Sequence, residues 1–142
     1  MVMFPKRRGE HDNKPTPDHL YRLIVEELGY EDVCRPGIDF LRDEVPDRIY
    51  CNPPFSKKSL FVERACELSR QGKTVVMLLP LDPSTRWFEN LISCGASIII
   101  VVGRRIHGKN ARFPTCIAVF NGKGEVYLVR YTDLASFLRK YL

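Results

Sequence analysis

An α/β domain built on a mainly parallel sheet is the fold class this sequence predicts, and three observations carry it. Two continuous apolar runs, residues 74–79 and 97–102, have the composition of strands buried on both faces. Segments with helical spacing lie before and between them, which gives βαβ units with parallel strands. The string Asn121-Gly122-Lys123-Gly124, between apolar residues 115–120 and 125–130, signals an antiparallel hairpin near the C-terminal end.

Taken in order, residues 1–15 are polar, basic and proline-containing, without periodicity, and read as a flexible arm. Residues 16–142 then form one domain, large enough for a normal core. Thr16 and Pro17 look like the cap and first turn of a helix whose Leu20, Leu23, Ile24 and Leu28 share a face and which Gly29 stops. Residues 30–34 read as a short strand ended by Arg35-Pro36-Gly37, and residues 48–51 as a second strand. A helix over residues 58–70 carries Phe61, Ala65 and Leu68 and closes at Gly72. Residues 83–93 repeat that pattern with Trp87, Phe88, Leu91 and Ile92, where Trp87 and Phe88 read as core packing. Thr132 is expected to cap a last amphipathic helix carrying Leu134, Phe137, Leu138 and Tyr141.

Composition narrows the function classes. Hydrophobic residues are 44% and charged residues 27%, the values of a globular protein and not of a disordered one. No apolar run approaches the ~20 residues of a membrane span, and the N-terminus lacks the apolar segment of a secretory leader, so an intracellular, cytoplasmic protein without membrane contact is expected. The cysteines (Cys34, Cys51, Cys66, Cys94 and Cys116) form no C-x-x-C pair and lie away from His11, His19 and His107, so buried reduced thiols are expected and no metal site. A net charge of +5 favours a polyanionic partner such as nucleic acid.

The most informative string is Asn52-Pro53-Pro54-Phe55, directly after the apolar Ile49-Tyr50-Cys51. Two prolines carry no N–H and fix φ near −65°, so the strand stops and nearby carbonyls are left out of any ladder. An amide side chain and a phenyl ring beside such acceptors make a holder for an amino group on a flat heterocycle. In open α/β sheets ligands bind at the carboxyl ends of strands, and this string sits at one.

At these residues the chain resembles the class I methyltransferases that use S-adenosyl-L-methionine, and within them the phage-type DNA adenine-N6 methyltransferases. The resemblance spans residues 16–120 and rests on Thr16-Pro17, Asp39-Phe40-Leu41, Tyr50 with Cys51, Asn52 to Ser56, Leu78-Leu79-Pro80, Arg86-Trp87-Phe88, Gly103-Arg104 and Arg112-Phe113-Pro114. It implies a single Rossmann-like domain, complete or truncated, because the interval between the first strand and Asn52 is short. It further implies that Asn52 and Pro53 accept the two N–H groups of a flipped adenine, that Pro54 stiffens the corner and that Phe55 stacks on the base. S-adenosyl-L-methionine would lie against Thr16, Pro17, Asp32, Cys34, Gly37 and Asp39, where the glycine-rich loop is reduced to Arg35-Pro36-Gly37.

Ser56, Lys57, Lys58, Arg104, Arg105, Lys109 and Arg112 are the expected contacts to DNA. For Arg104 and Arg105 a phosphate, a cofactor carboxylate or plain solvent are open alternatives. A host cytoplasm would follow from a viral source. With no room for a separate recognition domain, weak sequence specificity or a homodimer is expected. The alternatives are an inactive nucleic-acid-binding module of the same fold, or an amino-methyltransferase on RNA, cytosine N4 or a protein amide.

Overall fold

The alternation of apolar runs and helical segments builds three layers, seen in a computed structural model that describes residues 15–108 and 111–142. Six strands, β1 (Glu31–Asp32), β2 (Arg48–Cys51), β3 (Thr74–Pro80), β4 (Ser97–Val102), β5 (Thr115–Phe120) and β6 (Val126–Arg130), form one sheet in the order β1-β2-β3-β5-β4-β6. The helices are α1 (Asp18–Tyr21), prolonged as a π-helical segment (Arg22–Glu27), α2 (Lys58–Arg70), α3 (Arg86–Ser93) and α4 (Leu134–Tyr141). Single 3₁₀ turns at Phe55–Lys57 and Tyr131–Asp133 lead into α2 and α4. The succession of helices and strands is the one the sequence predicts. Most of the expected arm, residues 1–14, and Lys109 lie outside the described residues.

Period-two alternation sends successive strand residues to opposite layers. Ile49, Cys51, Val75, Met77, Leu79, Ala118 and Phe120 pack with Phe61, Val62, Leu68, Trp87, Phe88 and Leu91 of α2 and α3. Tyr50, Val76, Leu78, Ile99, Ile117 and Val119 pack with Leu20, Leu23 and Ile24 of α1 and with Leu134 and Leu138 of α4. Trp87 and Phe88 are therefore core residues, as their spacing indicates.

The C-terminal hairpin does not form. β5 runs antiparallel to both β3 and β4 and lies between them, while β6 pairs in parallel with β4 at the edge. Burial decides this: all six residues of β5 are buried and need neighbours on both sides, whereas β6 alternates and leaves Val126 and Leu128 exposed. The Asn121 to Gly124 string is instead a crossing beneath the start of β4, where Gly124 N–H donates to Gly95 O (2.9 Å) and Ser97 Oγ donates to Asn121 Oδ1 (2.9 Å). Gly95 is required there, since φ is +83° and a Cβ would sit 3.2 Å from the Gly122 backbone.

Neither threonine expected to cap a helix does so. Pro17 occupies the boundary of α1 and its carbonyl accepts from Leu20 and Tyr21, which frees the Thr16 hydroxyl to pair with Tyr50 Oη. Thr132 lies inside the 3₁₀ turn, and Asp133 stands at the start of α4 without a side-chain cap.

The reading of five reduced thiols is also corrected. Cys34 pairs with Cys51 and Cys66 with Cys94 as disulfides, at Cα separations of 5.1 and 5.8 Å, leaving Cys116 as the buried free thiol. Sequence spacing hides this because strand pairing brings Cys34 beside Cys51, and the packing of α2 on α3 does the same for Cys66 and Cys94. Burial pushes the Cys116 thiol up to about 12. A thiol-reagent titration without reductant should therefore find essentially no reactive thiol in the native chain and one after denaturation. Five after denaturation would contradict the bridges. Reduction should lower the melting temperature, since each bridge closes a loop worth ~3 kcal/mol of chain entropy.

Candidate active site

Five of the six strands point the same way, so their carboxyl ends share one edge of the sheet. Asn52 follows β2 at that edge, between β1 and β3. Its side-chain oxygen is shielded from solvent. Beyond it the proline corner distributes its carbonyls unevenly: Pro54 O accepts from Lys57 N (3.0 Å) and Phe55 O from Lys58 Nζ (2.9 Å). No hydrogen bond among the described residues reaches Pro53 O. The Pro53 carbonyl, on a buried residue, adjoins Asn52 in the chain.

A cavity of about 270 Å³ opens next to this corner. Asn52, Thr16, Asp32 and Cys34 line it together, with Tyr21 and Tyr50 as walls. Asp32 ends β1, where its Oδ1 accepts from Cys34 N (3.1 Å) and its Oδ2 from Tyr21 Oη (3.1 Å). Burial, more than the bond to Asp32, raises the Tyr21 phenol above its ordinary value. Burial likewise holds Tyr50 well above the usual phenol range, against the opposing bond from Thr16, so both phenols stay neutral near pH 7. The wall therefore joins the carboxyl groups of Asp32 and Asp18 to neutral hydroxyls.

The structure groups only part of the residues expected at the cofactor. Pro17 lines the adjoining cavity, and Gly37 is exposed with φ of 90°. Asp39 is exposed and serves its own turn: its Oδ1 accepts from Leu41 N (3.1 Å), and its N–H donates to Asp43 Oδ2 (2.8 Å). A carboxylate beside its own backbone N–H groups commonly does this, so Asp39 does not line the cavity.

Phe55 is 9% exposed, because Phe113 lies over it at 5.3 Å and 51°, and Phe113 is the ring that meets solvent. Ser56 and Lys57 are exposed on the 3₁₀ turn. Lys58 reaches back to Phe55 O and lies 5.7 Å over the Trp87 ring, so its charge is used within the fold. Arg105 donates to Ala111 O, Arg104 lies over the Tyr131 ring at 4.6 Å, and Arg112 is exposed. Sequence reasoning passed over Tyr21, and it gave Tyr50 and Phe113 no role of their own, only a place in the strings that carry the resemblance. The Tyr50 hydroxyl lines the cavity with Thr16 bonded to it.

Residues 41–130 match the sequence model of the family described as DNA N-6-adenine-methyltransferase (Dam). The chain belongs to that family. The matched residues hold the proline corner, β3 to β6 and Phe113, while Thr16 and Asp32 precede them. A DNA N-6-adenine-methyltransferase of Haemophilus phage HP1 (strain HP1c1) is 43% identical over 60 residues, covering 40% of this chain and 35% of the relative. Another, of Escherichia phage T1, is 39% identical over 51 residues, covering 36% of this chain and 21% of the relative. The chain thus spans about a third and a fifth of the lengths of these two relatives. No helix among the described residues is long and apolar enough to cross a membrane.

Proposed function

We propose that this chain transfers a methyl group from S-adenosyl-L-methionine to the N6 amino group of adenine in DNA, on a class I methyltransferase domain in which β5 is the reversed strand. The observation that carries this reading is the shielded Asn52 oxygen in the cavity that Asp32 also lines, followed in the chain by a Pro53 carbonyl that no hydrogen bond among the described residues reaches. An exocyclic amine has two N–H groups, and two acceptors on one rigid corner would hold both. Its lone pair is then drawn out of the ring and aimed at the donor, so positioning supplies most of the rate.

The cavity's polar groups fit the amino-acid end of that cofactor: the Asp32 carboxylate suits an ammonium, and the one hydroxyl proton that the Thr16–Tyr50 pair leaves over suits a carboxylate. When bound, the cofactor supplies an electrophilic methyl on a sulfonium. Asp32, Thr16 and Tyr21 would hold it, Cys34 would border it, and Asn52 with Pro53 would orient the incoming nitrogen. For the base to reach this corner it must leave the duplex. Phe113, exposed and backed by Phe55, offers the ring face on which it would stack. Arg112, Lys57 and Ser56 are exposed beside that face and would meet the backbone.

Labelled S-adenosyl-L-methionine and adenine-containing duplex DNA test the reading, with mass spectrometry placing the methyl group. Label on N6 of adenine is expected, and label on RNA, cytosine N4 or protein alone would redirect it. Asp32→Asn is expected to weaken S-adenosylhomocysteine binding roughly ten- to hundredfold in calorimetry, since a charged hydrogen bond is worth ~1.5–3 kcal/mol. A second reading, a module that grips DNA without the cofactor, draws on the small cavity and on Asp39 facing away from it. Calorimetry showing no cofactor binding by wild type, with salt-dependent DNA binding kept, would favour that module.

A further inference from the structure

A second cavity, of about 440 Å³, adjoins the one beside Asn52 and shares Pro15 with it. It is lined by groups from three separate parts of the chain: His19 of α1, Arg104 and His107 after β4, and Tyr131 after β6. Among the described residues that line it there is no carboxylate. The nearby acids Asp18 and Asp133 line other cavities.

Arg104, an exposed cation, is held by a ring, as Arg48 is over Tyr30 at 4.4 Å. Arg42, Arg64 and Arg139 are paired with carboxylates, whereas among the described residues no ion pair reaches Arg104. Its guanidinium instead lies 4.6 Å over the Tyr131 ring. The ring is anchored by His19, whose Nε2 is 3.2 Å from Tyr131 Oη and whose imidazole meets it edge-on at 5.9 Å. His107, 3.2 Å from Thr115 Oγ1 through Nδ1, forms another wall.

Contact with a ring occupies the guanidinium through its π face and leaves its N–H groups, which lie in its own plane, available. A stacked guanidinium is also pre-organised, so less freedom is lost when an anion takes its fork of donors. From this geometry we infer that the cavity takes a phosphodiester of the bound DNA strand, with Arg104 as the anion-binding group, Tyr131 as the platform that fixes it, and His19 as the residue that positions the platform. Through Pro15 the held phosphate lies next to the cavity of the methyl transfer. The inference rests on the DNA reading above and adds to it a backbone contact that neither the proline corner nor the family assignment supplies.

Equilibrium binding of labelled duplex DNA over a range of salt concentrations tests it. For Arg104→Gln the slope of log K against log salt should fall by about one unit, with affinity reduced roughly five- to tenfold near 0.1 M salt and equally for unrelated sequences. Arg139→Gln removes the same charge from the Glu27 ion pair and should keep the wild-type slope. An unchanged slope in Arg104→Gln, or an equal fall in Arg139→Gln, would overturn the site while leaving the methyltransferase reading intact. So would a loss of S-adenosylhomocysteine affinity in Arg104→Gln with DNA binding unaltered, since the anion would then be the cofactor carboxylate. A wild type without salt-dependent DNA binding would remove the DNA reading and this site together.

Discussion

Asn52→Ala should lower methyl transfer by about 10²- to 10³-fold, the usual consequence of deleting one oriented partner of the reacting group in a water-poor site. The thermal midpoint should change little, because the side chain is half-buried and belongs to neither core cluster. Asn52→Asp keeps an acceptor oxygen in place and should keep part of the rate. The loss should appear in kcat more than in KM, since the contact acts on the nitrogen as it reacts. Transfer of label by the alanine variant at the wild-type rate would remove Asn52 from the chemistry. The Pro53 carbonyl would then stand alone as acceptor, too little to hold both N–H groups.

The second large effect concerns the order of the sheet. Phe120→Ala, at the end of the fully buried central strand β5, should cost about 3–5 kcal/mol through lost burial and the cavity left behind. Leu128→Ala, at a residue 72% exposed on the edge strand β6, should stay within about 0.5 kcal/mol. Urea denaturation of the two variants measures both. Comparable losses would contradict a central β5 and an edge β6, and would restore the hairpin that the turn residues suggest.

What was legible in the sequence was local. Proline pairs, helical spacing and unbroken apolar runs act within a few residues, so they reveal the succession of elements and the corner at Asn52 to Phe55. Thr16, Asp32 and Cys34 could be associated with that corner only through the family resemblance, and the structure does bring them into one cavity with Asn52. Gly37 and Asp39 were included on the same ground and lie outside it, because a carboxylate next to its own turn satisfies backbone N–H groups before it meets anything distant.

Sequence by itself determined the elements of this protein and the place of its proline corner, since backbone torsions and side-chain periodicity are short-range. Tertiary structure alone decided which strand sits beside which, which cysteines pair, that Phe113 covers Phe55, and that His19 meets Tyr131 across 112 positions. These are questions of neighbourhood. Each is settled by where apolar surface is best buried across the whole chain, and no window along the sequence contains that information.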